Sequence, residues 1–564
     1  MNDFATVPDA PQSDSMALLN ALAADLTALK YTVDGVSALL GSEASDALGR
    51  DQIVPALLAL QFSTNPLATV VRLWLLAEDV TADALAAALP GISLAQLIAL
   101  GLIVPVPGGA SLPDPANLSG AATIRAVVDL RPYGWPGETS ELAGTDLWVA
   151  SDLGAHQRPG VLRRDHVLGI GQASLTLAQC TIRRVVGRAL DLGTGCGIQL
   201  FHLLHHASTV VATDISVRAL AFTRFNLLLN AAALGLSETD LDAGNPNARV
   251  SLRLGSLLAP VVGEKFDLVV SNPPFVITPR HLGEQSVDQF TYRDGGLAGD
   301  AIVETLVREL PAVLAPGGIA QMLGNWEVVE QENSAGEKEA VWRTRPMQWS
   351  PDGVQAWFIQ REQVSPPAYA ETWLQDASQG RQQNDYLRAY TDYMHDFASR
   401  QVVGIGFGYI LLRRSERQGG LPTESHFEEI LYPIEQPIGS YLAATLDREQ
   451  WLSAHESLWL ERLVVAEDVT EERHQKPGAE HPGVILLRQG AGLRRTNLMS
   501  TELAGFVSAS DGELSAGQLI TALAALLERD DAAFAHSLEA EVRNLVRDGF
   551  LLPADPFYTS GHVS

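Results

Sequence analysis

The run Ala189-Leu-Asp-Leu-Gly-Thr-Gly-Cys-Gly-Ile198 reads as an apolar strand, an acid, three glycines at alternate positions and the start of a helix. Glycines let a backbone turn tightly and approach a ligand with no Cβ in the way. The helix that follows presents free N–H groups to a polar group. A dinucleotide loop would carry Gly-x-Gly-x-x-Gly to admit a pyrophosphate; here the third glycine, Gly197, comes one position too early. The next strand ends Val210-Val-Ala-Thr-Asp214. That places an acid one βα unit after the loop, about twenty residues on, where it can accept hydrogen bonds from both hydroxyls of a ribose.

The same alternation continues. Strands are predicted over Ala189–Leu192, Val210–Thr213, Val250–Leu254, Phe266–Ser271 and Ile319–Leu323, with helices over Val217–Asn230 and Ala301–Leu314. Two more strands are predicted over Val354–Gln360 and Val402–Arg413. Repeating βα units imply a parallel sheet with right-handed crossovers. The expected fold class is α/β: a Rossmann-like, seven-stranded, mostly parallel core.

The fourth strand runs Phe266-Asp-Leu-Val-Val-Ser-Asn-Pro-Pro-Phe275. Pro273 and Pro274 cannot continue a sheet ladder, so they fix a rigid exit at the carboxyl end of the sheet, where open α/β sheets bind ligands. Asn272 offers a side-chain carbonyl, and Ser271 or Pro273 a main-chain one. Such acceptors hold a planar NH2 group and draw electron density onto its nitrogen. Phe275 can stack on the flat face of that group. Asn272, Pro273 and Phe275 are the catalytic candidates, and Pro274 and Phe275 are candidates for lining the substrate.

Gly-x-Gly-x-Gly after such a strand resembles the first motif of the class I methyltransferases that use S-adenosylmethionine (SAM). The resemblance implies SAM as cofactor. Its methionine part would lie over Gly193, Thr194, Gly195 and Gly197, with Asp191 near its amino group, Asp214 at its ribose and Asn272 beside it. Ser256 stands where many relatives carry an acid toward the adenine amine. Asn-Pro-Pro-Phe resembles the amino-methylating branch, whose members act on exocyclic amines of bases in DNA and RNA. Release-factor glutamine methyltransferases use the related Asn-Pro-Pro-Tyr. Many guanine-modifying members follow the Phe with His, where this chain has Val276. Tyr292-Arg-Asp-Gly-Gly-Leu-Ala-Gly299 resembles the Gly-Gly-x-x-Gly region of both groups and makes Tyr292 and Arg293 substrate-binding candidates; alternatively, Arg293 pairs with Asp294 or Asp300. The resemblance covers Asp165–Gly171 to Trp326. It leaves two acceptors open: a base of RNA or DNA, or the glutamine amide of a translation protein. A SAM-fold scaffold that binds without catalysing is the reading outside enzymes.

The flanks differ from the core. Residues 1–110 read as a helical, winged-helix-like domain, and residues 111–155 as a β-rich connector with strand-like Ile124–Leu130 and Leu147–Ala150. The methyltransferase core is expected over 156–415, with an aromatic-rich insertion over about 326–400 that serves either as a base-stacking platform or as a packed mini-core. Residues 440–564 read as a second, α+β winged-helix-like unit. Lys30, Arg50 and Arg72 are the only bases before residue 110, which argues against a DNA-reading wing.

The chain of 564 residues carries a formal net charge of −28. A protein that grips duplex phosphates over a broad face needs Lys and Arg there, so diffuse nucleic-acid binding is disfavoured. Arg163, Arg164, Arg183, Arg184, Arg488, Arg494 and Arg495 are the candidates for a small basic patch. The polar, acidic N-terminus and the absence of an apolar span imply a cytoplasmic protein with no membrane partner. His202, His205 and His206 lack an acid or thiol at ligand spacing and are read as a helix face; Cys180 and Cys196 cannot build a zinc cluster, and no metal is expected.

Overall fold

The computed structural model describes residues 4–107, 120, 122–135, 145–155, 157–158, 163–242, 244–279, 297–332, 338–376, 383–415, 425–529 and 531–554. The chain divides into two compact units: residues 1–178 with 184–431, and residues 179–183 with 432–564.

The first unit is built on a sheet of eight strands: β1 (Val186–Leu192), β2 (Ala207–Asp214), β3 (Val250–Leu254), β4 (Phe266–Ser271), β5 (Leu314–Val329), β6 (Val354–Val364), β7 (Val402–Arg414) and β8 (His426–Glu429). Their spatial order is β8-β6-β7-β5-β4-β1-β2-β3. β7 runs antiparallel to β5 and β6, and every other pairing is parallel. The sheet therefore has one strand more than the seven expected. β8 is short and polar, with no apolar alternation to announce it, and it adds alongside Trp357–Gln360 of β6. Trp357 Nε1 donates to Glu428 Oε1 at 2.9 Å across that edge.

The core helices are α1 (Ile198–Leu203), α2 (Val217–Leu229), α3 (Ala301–Glu309), α4 (Pro366–Asp376) and α5 (Gln383–Ser399). α3 buries Ile302, Val303, Leu306 and Val307, one stripe at helical spacing. It stops at Glu309 rather than Leu314: Pro311 follows, and Leu310–Val313 tightens into a 3₁₀ turn. β5 begins at Leu314, earlier than Ile319, and its register with β4 shifts between Leu314 and Ile319, around Pro316-Gly317-Gly318.

The main core packs Leu190, Val211, Phe266, Val269, Leu306, Met322, Trp326 and Phe358. Gly404, Gly406 and Gly408 alternate along β7 and so open one face of it. The Trp326 ring and the Gln360 amide lie over that face, with Trp326 Nε1 donating to Gln360 Oε1 at 2.9 Å. A Cβ at Gly406 would collide with both side chains.

The stretch 326–400 is not one insertion. Trp326 lies in β5 and Trp357 in β6, both members of the central sheet, and among the described residues only α4 and α5 stand between β6 and β7. Tyr369, Leu374, Tyr393 and Phe397 from those two helices pack with Ile277, Val402 and Ile405 into a second core.

Ahead of the sheet, helices Met16–Ala28, Val33–Leu40, Ser42–Leu48, Val54–Leu60 and Pro66–Val70 lead to strand Val80–Thr81, helices Ala82–Ala88 and Leu94–Ala99, and strands Ile103–Pro105 and Thr123–Ala126. Strand 123–126 lies between the other two. The expected strand Ile124–Leu130 is split: Thr123–Ala126 belongs to this sheet, and Asp129–Trp135 pairs antiparallel with Thr145–Ser151. That hairpin is fastened to α2 by two side-chain amides one helical turn apart. Asn226 bonds both ways to the main chain of Ala150, and Asn230, which follows α2, to that of Trp148.

In the second unit the strand order is Asp511–Ser515, Arg462–Val465, Leu551–Pro553, with helices Ala516–Leu526 and Ala532–Asp548 between the two outer strands in sequence. Its core packs Leu463, Phe506, Ile520, Leu538, Leu545 and Phe550. The middle strand thus precedes the helix pair here and follows it at the N-terminal end of the chain.

Candidate active site

The glycine loop is bound down by main-chain contacts. The N–H groups of Gly193 and Thr194 both donate to Thr213 O at 2.9 Å, which ties the loop to the end of β2. Thr223 Oγ1 donates to Gly195 O at 2.8 Å and Asn226 Nδ2 to Cys196 O at 2.9 Å, so α2 holds the loop from beneath. Gly193, Gly195 and Gly197 have φ of +77°, +58° and +95°, a region that favours glycine. Gly197 caps α1 in this left-handed conformation.

Two carboxylates flank the loop. Asp191 is buried and accepts from Thr194 Oγ1 at 2.7 Å. Burial pushes its carboxyl up to about 7; the Thr194 hydroxyl pulls it back and the nearby Asp214 charge adds to the rise. Asp214 accepts from Gly195 N–H at 3.0 Å and from Ser216 N–H at 2.8 Å. Burial raises its carboxyl as well, opposed by those main-chain donors. Beside it Ile215 is exposed, as is Leu254, the register partner of Asp214 in β3. An acid flanked by exposed apolar side chains suits a ligand with a polar sugar and a flat apolar ring. Ser256 is exposed in the turn after β3, next to Gly255, whose N–H donates to Asp214 O at 2.9 Å.

β4 brings the second motif alongside. Ser271 Oγ donates to Leu192 O at 2.8 Å, linking the end of β4 to the end of β1 just where the glycine loop departs. Asn272 follows, half-buried, and its Oδ1 is enclosed with no hydrogen-bond partner among the described residues. A buried acceptor without a donor is costly, and such an atom calls for a partner that arrives later. Pro273 is buried, Pro274 and Phe275 are half-buried, and Phe275 packs against the main core. Tyr292 and Arg293 lie outside the described residues.

Several residues here were not read as site residues in the sequence, and Asp300 was named there only as a partner for Arg293. Tyr369 Oη of α4 accepts from Ile277 N–H at 2.8 Å and from Asn325 Nδ2 at 3.2 Å. Asp300, just after the Gly-Gly-x-x-Gly region, accepts from Arg345 Nε and from Glu327 N–H, each at 2.8 Å. Glu327 in turn pairs with Arg400 at 2.7 Å, and Arg400 with Asp396 at 2.6 Å. The Asp300 carboxylate is thus taken by Arg345. The only signal of this network in the sequence is an unusual run of polar residues at the end of an otherwise apolar strand, Gly-Asn-Trp-Glu327.

The other candidates are committed to local structure. His202 meets Tyr133 Oη at 2.6 Å and packs with His205 around Trp135. Among the described residues no group of three or more His, Cys, Asp or Glu is placed to hold a metal. Arg163 pairs with Asp165 and Asp9, Arg488 with Glu472 and Arg494 with Glu435; Arg495 donates to Asp548 O.

Residues 153–289 match the family model described as methyltransferase small domain. Over 258 residues the chain is 30% identical to a release factor glutamine methyltransferase of Cereibacter sphaeroides, covering 42% of this chain and 82% of that one. The chain belongs to the SAM-dependent methyltransferases. A release factor glutamine methyltransferase of Xylella fastidiosa is also 30% identical, over 37% of this methyltransferase and 71% of its own length. A ribosomal protein uL3 glutamine methyltransferase of Bradyrhizobium diazoefficiens is 32% identical over 28% of this chain, which spans just under half (46%) of that relative. Two further models, each described only as a domain of unknown function, match residues 28–112 and 443–553.

Proposed function

We propose that this methyltransferase transfers the methyl group of SAM to the side-chain amide nitrogen of a glutamine in a translation protein. The observation that carries the reading is the enclosed, unpartnered Oδ1 of Asn272 on a strand fastened to the glycine loop. The loop Gly193–Gly197 with Asp191 would hold the amino-acid part of the cofactor, Asp214 its ribose, and Ile215 its adenine. The exposed Ser256, which brings no charge, would lie at the adenine edge. SAM supplies an activated methyl group when bound. Asn272 Oδ1 accepts an N–H of the acceptor amide and so turns the nitrogen lone pair toward that methyl. The N–C bond would form as the methyl–sulfur bond of the cofactor breaks with its electron pair left on sulfur, and the nitrogen would give up one proton to solvent. Pro273 and Pro274 keep the acceptor carbonyls fixed, and Phe275 covers the amide plane. Catalysis of this kind rests on alignment and on stabilising charge that grows on nitrogen.

A protein acceptor is supported by three things. Relatives of this chain are named for glutamine methylation in release factors and in a ribosomal protein. The net charge is −28. Arg163, Arg488 and Arg494, from the basic-patch candidates, are already paired with acids. The regions before and after the core in sequence are read as winged-helix-like modules that would serve docking rather than phosphate binding. No helix among the described residues is long and apolar enough to cross a membrane; a translation-protein acceptor supports a cytoplasmic location.

The test is transfer of labelled methyl from SAM by the full chain to a bacterial release factor, to ribosomal proteins and to total RNA, at several salt concentrations. The expected result is N-methylglutamine in a protein acceptor, a shallow salt dependence, and a fall of about 10²-fold or more in turnover for Asn272→Ala with SAM binding kept. Label on RNA, with log affinity falling by about 0.7 per neutralised phosphate against log salt, would replace the protein by a polynucleotide.

A further inference from the structure

The geometry points to Tyr369 as a positioning residue for methyl transfer: its hydroxyl fixes the loop that carries Asn272. This rests on the proposed role of Asn272, and the observations behind it come from a part of the chain far from either motif.

The loop that leaves β4 begins with Pro273 and Pro274, neither of which has an N–H to pin it to a neighbouring strand. Three residues later, Ile277 N–H is bound not by main chain but by Tyr369 Oη, at 2.8 Å. The same oxygen accepts from Asn325 Nδ2 at 3.2 Å. Asn325 belongs to β5, which lies beside β4 in the sheet. One phenol oxygen therefore joins the motif loop to the end of the adjacent strand.

That oxygen sits on a tightly packed ring. Tyr369 is 1% exposed, its ring stacked on Phe407 with centroids 5.8 Å apart and set edge-on to Phe397 at 5.7 Å. Packing alone would be met by another phenylalanine, as at Phe397 and Phe407. Moreover, Asn325 is fully buried and its Oδ1 has no hydrogen-bond partner among the described residues. A buried, unpaired amide oxygen costs stability that an apolar residue would not. What the Tyr369–Asn325 pair supplies in return is a fixed donor–acceptor point for the loop. Loop position matters steeply, because displacement of about 1 Å at a reacting group can cost 10²-fold in rate. Helices α4 and α5 are thus the rigid backing of the acceptor site rather than a platform for stacked bases.

Tyr369→Phe keeps the ring and removes the oxygen. The first measurement is amide hydrogen exchange of the full chain without ligands, read on the peptide Phe275–Pro279. Exchange at Ile277 should rise at least tenfold, while β4 amides at Val269 and Val270 stay protected. The second is turnover with the best protein acceptor found in the labelled-methyl assay. kcat should fall about tenfold or more with the SAM dissociation constant unchanged, and Asn325→Ala should move both readings the same way by less. Unchanged exchange at Ile277, or a variant with wild-type kcat, overturns the inference. If the wild-type chain methylates none of the protein acceptors, the glutamine reading falls, and Ile277 exchange still decides whether Tyr369 holds the loop.

Discussion

On one side of β4 the site is local: Asp191, Gly193–Gly197 and Asp214 sit in a single βαβ unit, joined by loop N–H groups to Thr213 O and to the Asp214 carboxylate and by Thr194 Oγ1 to Asp191. On the other side it is made of side chains that come from far apart in sequence. Tyr369 reaches Ile277, Arg345 reaches Asp300 and Arg400 reaches Glu327. The first side must accept a ligand whose shape does not vary, and a short loop with fixed φ values suffices. The second must present an acceptor whose surroundings vary, and it is held by buried pairs that can be exchanged one at a time. Substitutions should therefore act on ligand affinity on the first side and on fold stability on the second.

The largest effect is expected from Glu327→Ala. Its carboxylate is 2% exposed and pairs with Arg400, while burial raises its carboxyl against the pull of that guanidinium. Breaking a buried pair from one end typically costs about 3 kcal/mol or more, and Asp396, which also holds Arg400, keeps the loss near the lower end. Denaturant unfolding of the full chain reads the loss, and calorimetry should find SAM affinity unaltered. Reduced SAM affinity with unchanged stability would reverse the contrast between the two sides.

Asp214→Ala should do the opposite. On the proposed reading it removes charge-assisted bonds to the cofactor ribose and should weaken SAM binding by about 1–3 kcal/mol, with little change in melting temperature. An unchanged dissociation constant would take Asp214 out of the ligand site.

A pH titration sharpens the same side. Asp191 titrates near 7 in the folded chain, above the ordinary carboxylate value of 3.8. A raised carboxyl binds a proton more tightly when folded, so its contribution to stability is complete below the ordinary value and is lost as pH rises through about 7. Stability of the ligand-free protein should fall from this source between pH 4 and 7, with a slope of at most about 1.4 kcal/mol per pH unit. Asp191→Asn should remove that slope and be the more stable form at pH 8, as thermal melts across the range would show. A parallel pH profile in both proteins would mean that Asp191 is already ionised when folded.

The same division explains what was legible in the amino-acid sequence. The glycine loop, Asp214 and Asn-Pro-Pro-Phe are local: spacing within one turn or one βα unit sets their geometry. β1 to β7 follow from apolar runs of strand length. Tyr369, Asn325, Glu327 and Arg400 act across separations that no local pattern records, and as isolated letters they look like ordinary polar or aromatic residues. β8 escaped because His-Phe-Glu-Glu429 has neither alternation nor β-branched residues, and only its pairing with β6 makes it a strand.

The seat of Trp326 on Gly406 leaves a trace in how such a chain can change over generations. Any side chain at Gly406 meets the indole and the Gln360 amide, and any smaller residue at Trp326 leaves a trough over the glycines of β7. Neither position can be revised alone without passing through a worse protein. The two should drift together or not at all, so among descendants of this chain the tryptophan and the glycine would be inherited as a single character.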